Sequence, residues 1–269
     1  MIQYIYIRSL LITVIQGSSD VSRLTEKGKE QAASLYGGLM RVANDSYGGE
    51  LRVGAIYCSP LTRARDTLDI LRQSYISAEK EGSGKVLVHL PPNETILSHL
   101  REIDFYGWEN VGKKELKTKF PAEYNAWKEG NPHGLIVDDC YPLLEVWERA
   151  REVWHEIREI QAKRQDENGG GATLLVAHGT LGQSLLSTAF EIDATAFRRN
   201  EFPNCGVAEI HWHPSKDRAT AWRWCHPLPP NSSSAEECDL ARKLTAYNLG
   251  CLREQLADVV LEGGGTLPS

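Results

Sequence analysis

Three short stretches put chemistry-bearing side chains at the ends of predicted strands. Residues 4–8, YIYIR, are rich in β-formers and stop at Arg8. The apolar run VGAIYC (53–58) closes on Ser59-Pro60, and Arg63 falls in the first turn of the helix predicted next. The run TLLVA (173–177) meets His178-Gly179 ahead of another helix. In open parallel sheets, ligands bind outside the carboxyl ends of the strands. Two arginines and a histidine delivered there describe an anion pocket, because helix N-termini offer unpaired N–H donors and arginine forks match phosphate oxygens. Each residue alone has an ordinary explanation. Arg65 and Arg72 are plain helical arginines, and a histidine after a strand commonly caps or packs. Coincidence at three strand ends is what singles them out.

The elements that must position these residues alternate. Thr25 suits an N-cap, and Ala32, Leu35, Leu39 and Val42 recur at helical spacing, predicting a helix over 25–44. Leu61, Ala64, Leu68 and Leu71 predict another over 61–75. A second apolar run, VLVHL (86–90), is stopped by Pro91-Pro92. Helices are predicted over 113–128 and 142–164, the latter with a core stripe from Leu143 to Ile157. Its Glu145–Arg149 and Glu159–Lys163 pairs read as the wet side. A helix over 180–190 and two β-rich runs, GVAEIHW (206–212) and TAWRW (220–224), follow. This order predicts an α/β fold: a mostly parallel sheet flanked by helices on both faces, with a helical insertion near 93–140. Residues 1–226 read as one domain, and 227–269 as a linker, PLPPNSSS, with a C-terminal helical tail.

Composition excludes several classes. A net charge of −6 argues against non-specific nucleic-acid binding, and the tryptophans form no stacking platform. The run Leu10–Ile15 is too short to span a bilayer, and no signal-peptide or transit-peptide pattern is visible. The six cysteines form no CxxC pair and read as reduced thiols of a soluble intracellular protein. His211, His213, Cys225 and His226 could approach metal-ligand distance if their strands pair antiparallel, but side chains of a β-hairpin are the expected reading. No metal, cofactor, nucleic-acid or membrane partner is expected.

Four stretches, LTEKGKEQA (24–32), YCSPLTRARDT (57–67), LREIDFYGWEN (100–110) and LLVAHG (174–179), resemble the histidine phosphatase superfamily in its phosphoglycerate mutase-like branch. IQGSSDVSRLT (15–25), VDDCYPLLEVWERAREVW (137–154) and FPNCGV (202–207) look like the plant 2-carboxyarabinitol-1-phosphatase-like subgroup. The resemblance implies a phosphatase of small phosphorylated metabolites, sugar phosphates in that subgroup, with no metal. A histidine attacks phosphorus, two arginines and a second histidine hold the phosphoryl oxygens, and an acid protonates the leaving alkoxide. By motif, Arg8 and Arg63 are the phosphate-binding arginines, His178 the second histidine and Glu102 the proton donor.

One departure changes the expected activity. The superfamily's first strand ends in Arg-His-Gly, whereas here Arg8 is followed by Ser9 and Leu10. Ser9 stands at the nucleophile position without an adjacent base, and a phosphoserine is a far more stable intermediate than a phosphohistidine. Three readings follow: a phosphatase impaired in this chain, a catalytically silent phosphate-binding or regulatory relative, or a splice or gene-model variant of an active enzyme affecting residues 1–14. The third would place the true N-terminus upstream and the protein in the chloroplast stroma; otherwise it is cytoplasmic.

Overall fold

Runs of β-branched and aromatic residues as apolar as ATLLVA cannot leave either face wet, and they pair into one covered sheet. The computed structural model of the chain describes residues 2–8, 15–80, 88–168, 171–197, 204–212 and 218–225. Its strands are β1 (Ile2–Arg8), β2 (Leu51–Cys58), β3 (Val88–His89), β4 (Thr95–Ile96), β5 (Ala172–Ala177), β6 (Val207–Trp212) and β7 (Ala219–Cys225). They lie in the order β3-β2-β5-β1-β6-β7, with β4 also on β2. Pairings among β1 to β5 are parallel, and β6 and β7 are antiparallel additions at one side. The α/β class expected from the alternation is the class observed.

Seven helices are described: α1 (Glu26–Ala33), α2 (Leu35–Ser46), α3 (Thr62–Lys80), α4 (Lys113–Lys119), α5 (Pro121–Glu129), α6 (Pro142–Asn168) and α7 (Gly179–Ala189). Successive strand residues point to opposite faces, so the sheet carries two cores. Tyr57, Leu175 and Ala177 join Trp147, Val153 and Leu185 beneath α6 and α7. Ile56, Leu174 and Val176 join Leu35, Leu39 and Leu68 beneath α1, α2 and α3. Among the described residues, no helix is long and apolar enough to cross a membrane.

Three predicted elements differ in detail. The helix over 25–44 starts on the Thr25 cap as expected, but breaks at Ser34, whose hydroxyl donates to the Gln31 carbonyl at 2.7 Å. The helix over 113–128 splits at Phe120 (φ −131°, ψ 60°) because Pro121 disfavours helical geometry in the residue before it. Proline then opens α5 at its first turn, and Gly130 closes it in the left-handed region (φ 72°). The β6–β7 hairpin is antiparallel, yet its register places His211 opposite Ala221 and Cys225 opposite Val207. Four strand residues, roughly 13 Å, separate those positions, too far for a shared ion. His213, His226 and the predicted tail over 227–269 lie outside the described residues.

Candidate functional site

Because β2, β5 and β1 are parallel neighbours, their carboxyl ends share one edge. Arg8 pairs with Ala177, the residue before His178. Ser59, the first residue past β2, donates its N–H to the Val176 carbonyl at 2.9 Å. The sheet therefore delivers Ser59, His178 and the Arg8 main chain to the same place; the Arg8 side chain and Ser9 lie outside what is described.

Arg63 reaches this edge from the first turn of α3. Asp20 caps that helix, accepting from Thr62 N and Thr62 Oγ1, each at 2.7 Å. Arg63 is only 4% exposed, and main chain of the 15–20 loop holds its guanidinium: Nη1 donates to Ser19 O at 2.9 Å and Nη2 to Gly17 O at 2.8 Å. Gly17 is required here. Its φ is +51°, and a Cβ would stand 2.3 Å from Glu109 Oε1 and 2.9 Å from Ile103 O. Glu109 closes the loop from the other side, its Oε1 accepting from Ser18 N (2.8 Å), Ser18 Oγ (3.0 Å) and Phe105 N (3.2 Å). Burial pushes the Arg63 pKa down, while the charges of Glu102, Asp20 and Glu109 oppose the shift.

His178 occupies the N-cap position of α7, is buried, and shares a 2.7 Å hydrogen bond between its Nε2 and Ser59 Oγ. Glu102 meets the same helix end. Its Oε1 accepts from Ile103 N and Leu181 N at 3.0 Å, and its Oε2 from Thr180 N at 3.1 Å. A carboxylate there satisfies orphan N–H groups and complements the positive end of the helix dipole. Behind it, Arg149 of α6 donates to the carbonyls of Glu102 (2.7 Å) and Arg101 (3.2 Å) and to Asp104 Oδ2 (2.7 Å). This corrects the wet-side reading of Arg149. The residue is buried, and Glu145 instead accepts from the Tyr106 hydroxyl and Tyr141 N.

Residues 11–225 match the histidine phosphatase superfamily (branch 1). The chain belongs to that superfamily. Among its curated relatives, the Arabidopsis thaliana protein named "Probable 2-carboxy-D-arabinitol-1-phosphatase" is 34% identical over 204 residues, covering 76% of this chain and 35% of the relative. The 2-carboxy-D-arabinitol-1-phosphatase of Triticum aestivum is 33% identical over 200 residues, covering 74% and 34%. The chain thus spans about a third of the length of these plant relatives. A solved structure titled "Mycobacterial hydrolase 1" superposes with a TM-score of 0.61 at 20% identity, covering 83% of this chain and 97% of that one, which speaks to the fold.

Of the residues the superfamily resemblance singled out, Arg63, Glu102 and His178 come together, with Arg8 arriving at the same edge through its main chain. Other histidines lie elsewhere: His89, His99 and His155 sit at the surface beside Glu50, Glu156 and Glu159. Sequence reasoning missed Ser59, Asp20, Glu109 and Arg149. All four stand inside the stretches that carry the resemblance, which assigns none of them a role. The roles of Asp20 and Arg149 rest on partners 42 and 45 residues away, which no local pattern announces.

Proposed function

We propose that this chain binds phosphomonoesters of small metabolites, sugar phosphates among them, at the carboxyl edge of β2, β5 and β1. Its turnover is impaired because a serine stands where the superfamily's nucleophilic histidine is expected. One observation carries the reading: Arg63, His178 and Glu102 converge at one sheet edge and one helix end, each fixed by neighbours. Arg63 and Arg8 hold the phosphoryl oxygens together with His178, and Glu102 is the proton donor to the leaving alkoxide. The two carbonyl bonds to Arg63 orient its fork and leave other guanidinium N–H groups for a ligand. The substrate class follows from the plant relatives, whose names are those of phosphatases of 2-carboxy-D-arabinitol 1-phosphate.

Impairment follows from chemistry. A histidine at the phosphate-binding position stands beside the phosphoryl group, and losing an in-line nucleophile forfeits most of the proximity advantage. Calorimetric titration with inorganic phosphate is expected to show saturable binding that Arg63→Ala abolishes; absence of binding to the unaltered chain would overturn the reading. Incubation with a sugar phosphate should yield little turnover. Ser9→His is expected to give an acid-labile phosphohistidine by intact mass. Full turnover by the unaltered chain, kept in Ser9→Ala, would refute the missing-nucleophile argument.

A further inference from the structure

A fully buried hydroxyl, that of Ser59, meets a ring with two choices of tautomer. Ser59 follows β2 and His178 follows β5, and the parallel pairing of Cys58 with Val176 sets them side by side. The Ser59 N–H donates to the Val176 carbonyl at 2.9 Å, which pins its main chain to the neighbouring strand. Among the described residues, Ser59 Oγ makes hydrogen bonds with Leu61 N at 3.3 Å and with His178 Nε2 at 2.7 Å. The first of these is an N–H, which donates to the hydroxyl and cannot take its proton. Bulk water does not reach the group either. A buried hydroxyl proton left unpaired is costly, and the acceptor in reach of this one is Nε2.

We propose that Ser59 is a positioning residue: its hydroxyl donates to Nε2 and so fixes His178 as the tautomer whose proton sits on Nδ1. In a neutral imidazole one nitrogen donates and the other accepts, and the bond made by one sets the state of the other. With Nε2 given to Ser59, the phosphoryl contact assigned to His178 falls to Nδ1, which then offers an N–H to an oxygen. The same tautomer closes a second route. Neither nitrogen presents a lone pair to phosphorus, so His178 cannot stand in for the missing nucleophile. The main chain holds the residue as well, since the His178 carbonyl accepts from Gly182 N at 2.8 Å where α7 begins. The inference rests on the phosphate reading of the pocket.

Nitrogen-15 spectra of the histidine rings at about pH 8, above the ordinary histidine range, read the tautomer directly. The His178 signals are assigned by their loss in His178→Asn. The unaltered chain should show an unprotonated Nε2 and a protonated Nδ1. Ser59→Thr keeps the hydroxyl and should keep both signals and the affinity for inorganic phosphate. Ser59→Ala should move the ring toward the Nε2–H form and weaken phosphate binding about tenfold in calorimetric titration. Those results together support the proposal. A protonated Nε2 in the unaltered chain overturns it, whichever variants fold. Ser59→Ala with tautomer and affinity both unchanged overturns it too and leaves the pocket reading standing. Affinity and melting temperature falling in Ser59→Ala while the tautomer stays put would make Ser59 merely structural, and the proposal fails. An unaltered chain that binds no phosphate overturns the pocket reading itself, and this proposal with it.

Discussion

Two of the charged side chains buried among the described residues, Arg63 and Glu209, are satisfied in opposite ways. Arg63 donates to the main-chain carbonyls of Gly17 and Ser19 on a loop at the carboxyl edge of the sheet. Glu209, fully buried on β6, is held by side chains: the Ser46 hydroxyl at 2.8 Å and His211 Nε2 at 3.1 Å, with Tyr47 beside it. Both groups have displaced pKa values. Burial lowers that of Arg63, whereas at Glu209 the upward push of burial is outweighed by His211, Ser46 and Tyr47, which hold it below its ordinary range. A displaced ionisable group is therefore not by itself a mark of function. The surroundings separate the two: Arg63 converges with His178 and Glu102 at the ends of parallel strands, while Glu209 sits on the antiparallel side with partners suited to a structural role.

The sharpest way to break this contrast is to remove each charge. Arg63→Ala should cost phosphate affinity at least about a hundredfold, near 3 kcal/mol, by removing a charged fork from the phosphoryl group. Glu209→Ala should leave that affinity unchanged and cost about 2 to 3 kcal/mol of stability in urea unfolding. The variant removes the carboxylate that the Ser46 hydroxyl and His211 meet and opens a cavity in the core. Equal loss of phosphate binding in both variants would erase the distinction. Arg149→Met extends the test to the segment behind Glu102. It leaves the carbonyls of residues 101 and 102 unpaired and Asp104 with one arginine fewer, at a cost of about 2 kcal/mol. The same unfolding measurement checks it.

Much of the site was legible because its residues sit where a local pattern changes. Arg63 and His178 follow short apolar runs ended by Ser59-Pro60 and by His178-Gly179, and strand ends can be read within a few residues. What stabilises them could not be read that way. The Arg63 cradle is made of carbonyls, which every residue possesses, so residue type gives no signal for it. Arg149 was placed on the wet face because Glu145 lies one helical turn away, while its true partner, Asp104, comes from a distant loop. Glu209 lies within the β-rich run GVAEIHW, where no local pattern announces the Ser46 hydroxyl at the end of α2 that meets it. The split at Phe120 was in plain view, since Pro121 follows it.

The smallest expected effect is the pH dependence of this contrast. Asp104 and Glu209 both have pKa values held below their ordinary 3.8 and 4.5. At Asp104 burial pushes upward, but Arg101, Ser18 and Arg149 outweigh it. A carboxyl depressed in the folded state binds protons more readily when unfolded. Its contribution is therefore complete above the unfolded pKa and disappears as the pH falls through the folded value. Stability should be flat from pH 7 to about 5 and decline below that. Glu209→Gln should start less stable at pH 7 and show a shallower acid decline, because one of the two carboxylates no longer takes up a proton on unfolding. Urea midpoints measured at intervals down to about pH 3 resolve this, provided the slope with denaturant stays constant. An acid limb unchanged by Glu209→Gln would mean that the Glu209 cluster is not what acid dissolves, leaving Asp104 and its arginines to account for the decline.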